Sequence, residues 1–92
     1  NTWLGMVRQW QEVFYERKYS QTSLAVGPDF VKLAEAYGWV GLRASTPEEV
    51  EPVIKKALSV HQPVIMDFRV DPEECVLPFM PPGRTVMDIL LA

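Results

Sequence analysis

The 92-residue sequence predicts an α/β chain, the back part of an open, mostly parallel sheet with helices packed on it. Three observations predict it. Apolar residues recur at three- and four-residue steps in three separate segments, which is the period of a helix face. The stretch "PVIMDFRV" (63–70) is apolar on both faces except at Asp67 and Arg69, as suits a strand buried from both sides in a parallel sheet. The residues between these segments set the order helix, helix, strand, helix, strand. Two strands do not make a stable sheet alone, so a further strand is expected ahead of Asn1.

The first helix carries Trp3, Met6, Val7, Trp10, Val13 and Phe14 on one broad apolar stripe, with Arg8, Gln9, Gln11, Glu12 and Glu16 around the rest. Gly5 weakens its first turn and lets other groups approach the backbone. Residues 17–28 have no sustained period and read as a loop. Pro28-Asp29 opens the second helix, with Asp29 as its N-cap and Phe30, Leu33, Ala34 and Tyr37 as its inner face. Gly38 stands where a left-handed residue ends a helix.

"WVGLRAS" follows as a short strand, and Thr46-Pro47-Glu48-Glu49 forms a capping box with proline at the first helical position. The third helix is expected to bury Val50, Val53, Ile54, Ala57 and Leu58. Pro52 inside it removes a backbone donor at a cost of ~3 kcal/mol, so a kink or a helix start is expected there. After the strand at 63–70, residues 71–92 read as a proline-stiffened tail ending in a short apolar helix around Val86–Leu91.

Composition narrows the function classes. Net charge is −3 with a pI near 5.0, so no basic footprint for nucleic acid exists. No apolar run is long enough to cross a bilayer, and no charged-then-apolar leader is read, so no membrane partner is expected. Cys75 is the single cysteine, so no internal disulfide can form, which fits a reducing, cytoplasmic compartment.

Conventional catalytic sets are absent, and no catalytic residue is assigned. His61, the only imidazole, sits at a helix end, where a cationic ring caps carbonyls. "DPEE" (71–74) after a strand reads as a turn rather than an acid–base pair. Cys75 has no basic neighbour in sequence to activate it and reads as a packed small side chain. The stripe of Met6, Val7, Trp10 and Phe14 is ordinarily core. Here it follows Asn1 closely, at the place where an α/β sheet puts its ligands, beyond the carboxyl end of a strand.

The stretches "LGMVRQWQEVFYERKYS", "PDFVKLAEAYG", "PVIMDFRVDPEE" and "LPFMPPG" together closely resemble the C-terminal part of the catalytic subunit of the acetolactate synthase (acetohydroxyacid synthase) family. The resemblance runs over nearly all of the chain. It implies that residues 1–92 are a C-terminal fragment of the thiamine-diphosphate-binding domain, with 71–92 a lid-like tail. The family uses thiamine diphosphate and magnesium to decarboxylate pyruvate and to join the two-carbon unit to a second 2-oxo acid, in branched-chain amino acid biosynthesis. FAD is bound in a different part of the enzyme.

Asn1 is similar to the last asparagine of the family's diphosphate-binding motif. The resemblance therefore implies two magnesium ligands: the Asn1 side-chain oxygen and the backbone carbonyl of Trp3. Magnesium is a hard ion that takes six oxygens at ~2.0–2.1 Å, and both are oxygen donors. Gly5, Met6, Val7 and Trp10 match positions lining the cofactor and substrate pocket, with Trp10 matching the aromatic residue linked to choice of the second 2-oxo acid.

The motif's Gly-Asp-Gly, the glutamate that activates the cofactor's aminopyrimidine and the FAD domain lie outside this stretch. The 92 residues alone are therefore expected to be inactive. The implied partners are the remainder of the catalytic subunit, a homodimer or tetramer of full-length subunits, a regulatory small subunit and 2-oxo acid substrates. The alternatives are another thiamine-diphosphate carboligase or oxidase, or a non-enzymatic interaction module derived from this fold.

Overall fold

A computed structural model describes residues 1–91. They fall into two compact units: one of residues 25–71 with Asn1, the other of residues 2–24 with those from Pro72 onward. Helix α1 (Gly5–Phe14) belongs to the second unit. Helix α2 (Phe30–Ala36), strand β1 (Val40–Ala44), helix α3 (Pro47–Ser59) and strand β2 (Val64–Phe68) build the first. Among the described residues these are three α-helices and two strands, the small α/β arrangement that the sequence predicts.

In the first unit β1 and β2 are parallel neighbours, with Val40 opposite Val64 and Ala44 opposite Phe68. Backbone bonds close the ladder at both ends, Val40 N–H to the Pro63 carbonyl at 3.0 Å and Arg69 N–H to the Ala44 carbonyl at 2.9 Å. Parallel neighbours need a crossover, and α3 supplies it. Its capping box forms as the sequence predicts, and Glu49 Oε2 accepts the N–H of Thr46 at 3.2 Å and of Ser45 at 2.6 Å. The helix starts at Pro47 and runs through Pro52 rather than starting there. Proline at the sixth helical position loses one bond, while the box secures the turn before it.

Helix α2 also has the expected ends. Asp29 Oδ1 accepts the N–H of Val31 at 3.0 Å and of Lys32 at 3.3 Å. At the other end Gly38 takes φ +72°, Gly38 N–H donates to the Glu35 carbonyl and Trp39 N–H donates to the Ala34 carbonyl, both at 2.9 Å. That pair of bonds is a Schellman motif. The inner faces, however, differ from expectation. On α2 the residues turned inward are Val31 and Ala34, while Phe30, Leu33 and Tyr37 are exposed. On α3 they are Val53 and Ala57, with Val50, Ile54 and Leu58 exposed, the last at 82%.

Gly41 explains the first of these shifts. A Cβ built on it would lie 2.7 Å from the Val31 carbonyl oxygen and 2.8 Å from the Val31 Cα. The helix backbone rests directly on the strand there, which turns Val31 and Ala34 inward and swings the bulkier residues out. A salt-bridge network spans the same unit. Arg43 on β1 donates from Nε to Asp67 Oδ2 at 2.9 Å, its partner across the ladder, and from Nη2 to the cap residue Asp29 at 2.7 Å. Arg69 Nε reaches Asp67 at 3.1 Å. One guanidinium thus ties both strands to the start of α2.

In the second unit Trp3 lies outside α1 and makes an antiparallel bridge with Ser23. Leu4 N–H donates to the Thr22 carbonyl at 2.9 Å and Leu24 N–H to the Thr2 carbonyl at 2.7 Å. The expected tail helix at Val86–Leu91 is a single 3₁₀ turn, Val86–Asp88, with Val86 and Met87 exposed. Leu90 instead pairs with Phe79, each N–H donating to the other's carbonyl at 2.8 and 2.9 Å. Ala92 lies outside the described residues. His61 is exposed, and the side chain that reaches a carbonyl at the end of α3 is Ser59, whose Oγ donates to Lys56 at 2.8 Å.

Two outcomes test this architecture. Gly41→Ala forces α2 off β1, and overpacking of this kind costs about 1–3 kcal/mol; urea titration of the chain should show an earlier midpoint, and an unchanged midpoint would refute the close approach. The second concerns pH. The Lys32 N–H holds the Asp29 carboxyl below its ordinary 3.8; partial desolvation opposes this and the Arg43 guanidinium adds to it. A carboxyl with a lowered folded pKa contributes stability above its unfolded value and loses it as pH falls through the folded one. Melting temperature should therefore fall as pH drops below the ordinary carboxyl value of 3.8, and Asp29→Asn should make that drop shallower.

Candidate functional site

The site residues predicted from sequence cluster on α1, so its rotation decides what the site is. The helix begins after Leu4 with no side-chain cap; its entry is held by the bonds of residues 2–4 to 22–24. Thr2 has φ 57°, a backbone conformation that β-branched residues adopt only when the surroundings hold it.

The apolar stripe, of a kind that is ordinarily core, faces outward. Met6, Val7, Val13 and Phe14 are exposed, whereas Arg8 at 6% and Gln9 at 3% exposure are buried. Chemistry accounts for the choice of buried side, because a buried polar group must find hydrogen-bond partners. Gln9 Nε2 donates to the Val76 carbonyl at 3.1 Å, and Gln9 Oε1 accepts the Val76 N–H at 2.7 Å. Arg8 Nη1 pairs with Glu12 at 3.0 Å and Nη2 approaches Glu73 at 3.8 Å. Its guanidinium lies over the rings of Trp3 and Tyr19, 5.3 and 4.9 Å from their centroids. Two aromatic faces and a carboxylate make this a suitable place for a cation.

With Arg8 and Gln9 turned in, a rotation of about 100° per residue carries Met6, Trp10, Phe14 and Val7 to the opposite side. There they line an open groove of about 730 Å³. Trp10 is half-buried in it, edge to face with Phe14 at 5.5 Å and with Phe79 at 6.3 Å. Left-handed residues at Glu16 and Arg17 fold the chain back after α1, so that Tyr15, Glu16 and Lys18 join Gln11 on the groove's rim. Lys18 and Glu16 pair at 2.7 Å across that rim. The groove is therefore apolar at its centre and charge-balanced at its edge.

Of the predicted residues, Met6, Val7 and Trp10 come together on this one surface. Gly5 is the first residue of α1, Trp3 is half-buried beneath Arg8, and Asn1 is exposed. Among the described residues no group of three or more His, Cys, Asp or Glu side chains could hold a metal ion. Asn1 and the Trp3 carbonyl suit magnesium in donor type, both being oxygens, but they are neutral, so the balancing charge must come from elsewhere.

Sequence reasoning missed Arg8 and Gln9 as buried groups and Tyr15 and Lys18 as rim residues. For the rim, two successive left-handed residues gave no compositional warning, since neither is glycine. For Gln9 no sequence signal exists, because its partner lies 67 residues away.

A family profile described as "Thiamine pyrophosphate enzyme, C-terminal TPP binding domain" matches residues 1–68. The acetolactate synthase of Mycobacterium leprae is 48% identical over 94 residues, covering 97% of this chain and 15% of that protein. The acetolactate synthase large subunit of Haemophilus influenzae is 41% identical over 93 residues, covering 100% of this chain and 16% of that protein. The probable acetolactate synthase large subunit of Methanocaldococcus jannaschii is 41% identical over 90 residues, at 98% and 15%. The chain thus spans about one sixth of the length of these curated relatives. It belongs to the thiamine pyrophosphate enzyme family, within that family's C-terminal TPP-binding domain.

Proposed function

We propose that this chain is the C-terminal part of the thiamine-diphosphate domain of an acetolactate synthase catalytic subunit, and that its α1 groove receives the second 2-oxo acid. The observation that supports this reading most is the groove itself. Met6, Val7 and Trp10 share one apolar surface on a segment close in sequence to acetolactate synthases. When bound, thiamine diphosphate supplies the carbanion chemistry that decarboxylates pyruvate and links the two-carbon unit to a second 2-oxo acid.

This chain's own residues bind and orient. The Asn1 side-chain oxygen and the Trp3 carbonyl would hold magnesium, with Gly5 leaving the approach to the backbone open. Met6 and Val7 exclude water from an apolar wall. Trp10 offers a flat face against which one extra methylene is buried, a difference worth about 1–3 kcal/mol in a hydrophobic pocket. Residues 71–92, with Ala92 beyond the described part, act as a lid-like tail. FAD, the upstream metal ligand and the activating glutamate belong to the rest of the subunit. A homodimer or tetramer, a regulatory small subunit and a cytoplasmic setting complete the reading.

The exposure of Phe30, Leu33, Ile54 and Leu58 in the first unit also supports a role inside a larger subunit, since apolar surface of that extent normally meets a partner. No helix among the described residues is long and apolar enough to cross a membrane.

Two measurements test the proposal. The 92-residue chain supplied with thiamine diphosphate, magnesium and pyruvate should form no acetolactate; product from it would overturn the division of labour. In the complete subunit, Trp10→Leu should lower the preference for 2-oxobutanoate over pyruvate as second substrate by about 10-fold or more, measured as the product ratio in competition. An unchanged ratio would remove Trp10 from the substrate wall.

A further inference from the structure

Gln9 is nearly inaccessible, yet it is polar, uncharged and not part of the groove. Both hydrogen-bonding atoms of its amide are spent on one backbone unit, the N–H and carbonyl of Val76, at 2.7 and 3.1 Å. This is how a strand is recognised: the contact reads main chain and ignores side chain, and the Val76 side chain is left exposed. Three residues further on, Phe79 lies edge to face against Trp10, the residue next to Gln9 on α1. Phe79 is itself held by its paired bonds to Leu90.

Besides the long Arg8–Glu73 ion pair at 3.8 Å, the tail therefore meets α1 at two neighbouring points, one a pair of hydrogen bonds and one a ring contact. The ring contact is made to the residue proposed to select the substrate. We infer that Gln9 is a positioning residue: its amide latches the tail at Val76 so that Phe79 holds the Trp10 indole at a fixed angle in the groove. Phe14 braces the same indole at 5.5 Å on α1 itself, so the tail supplies the only brace of the two that a distant change can release. The selectivity part of this inference rests on the proposed function; the latch does not.

The test uses the complete catalytic subunit. Gln9→Met keeps the side chain's bulk and removes both hydrogen bonds. Amide exchange of a peptide covering 74–80 should accelerate by about 10-fold or more, and the product ratio between 2-oxobutanoate and pyruvate should fall by about 3-fold or more. Val76→Ala should change neither, because the amide grips backbone. Phe79→Leu should shift the ratio with exchange at 74–76 unchanged, and it decides the matter where Gln9→Met does not fold.

A merely structural role would lower the amount of active enzyme and leave the ratio alone. Unchanged exchange in Gln9→Met overturns the latch, and an unchanged ratio in both Gln9→Met and Phe79→Leu overturns the positioning. Should the wild-type subunit form no acetolactate, the functional proposal fails, and exchange at 74–80 still decides the latch.

Discussion

The structure around the candidate site depends on one constraint: polar groups taken out of water must be satisfied. On α1 that constraint falls on Arg8 and Gln9, and the second unit meets it for the Gln9 amide and for the Arg8 Nη atoms, while Arg8 Nε stays buried without a hydrogen-bond partner. Gln9 turns both heavy atoms of its amide to Val76, and Arg8 divides its charge between Glu12 and two aromatic faces. Leaving either side chain unpaired would cost ~1–3 kcal/mol or more, comparable with burying a large apolar residue. Four apolar side chains stay on the open side because the polar ones are already committed to the closed side. The groove follows from that rotation.

The first unit solves a different problem. Its fully buried apolar residues are Ala34 and Ala44, both small, so close approach of helix to strand matters more there than side-chain volume. Gly41 permits the approach, and Arg43 clamps it by joining the α2 cap at Asp29 to the β2 residue Asp67. The guanidinium pKa is raised further by the Asp67 contact above all, so the clamp stays charged at any pH the protein meets. Its weak partner is the carboxylate, and that is where acid acts.

The sequence made the ends of elements legible and their orientations illegible. Asp29, Gly38 and the Thr46–Glu49 box act through bonds to residues a few positions away, so their effect is written in adjacent letters. The parallel pairing also followed, because a two-sided apolar strand after a helical crossover has few other solutions. Which face of each helix turns inward depends on partners distant in sequence. Val31 faces in because Gly41 lets its backbone down; Gln9 faces in because Val76 waits for it. The tail misled for a related reason: an apolar run at 86–91 has helical composition, but Leu90 is taken by Phe79 and only one turn of helix remains. At the candidate site, the resemblance named Met6, Val7 and Trp10 together, and the structure gathers them on one surface; the buried side chains beside them, Arg8 and Gln9, were not readable.

The same buried arginine bears on the start of the chain. Thr2 holds a left-handed backbone that a β-branched residue does not adopt unaided, at a cost of order 1–3 kcal/mol. Its carbonyl accepts the Leu24 N–H at 2.7 Å, and the next residue, Trp3, is bridged to Ser23 and packed under the Arg8 guanidinium. Strain persists where surrounding contacts over-determine a conformation, and here the contacts are the bridge on one side and the cation on the other. The Trp3 carbonyl is the proposed metal ligand, and a ligand carbonyl must point one way before the ion arrives if binding is not to spend energy on ordering it. Arg8 and Gln9 are thus alike: each is a buried polar side chain whose contacts bear on a tryptophan, Trp3 under the guanidinium and, through the proposed latch, Trp10 beside Phe79.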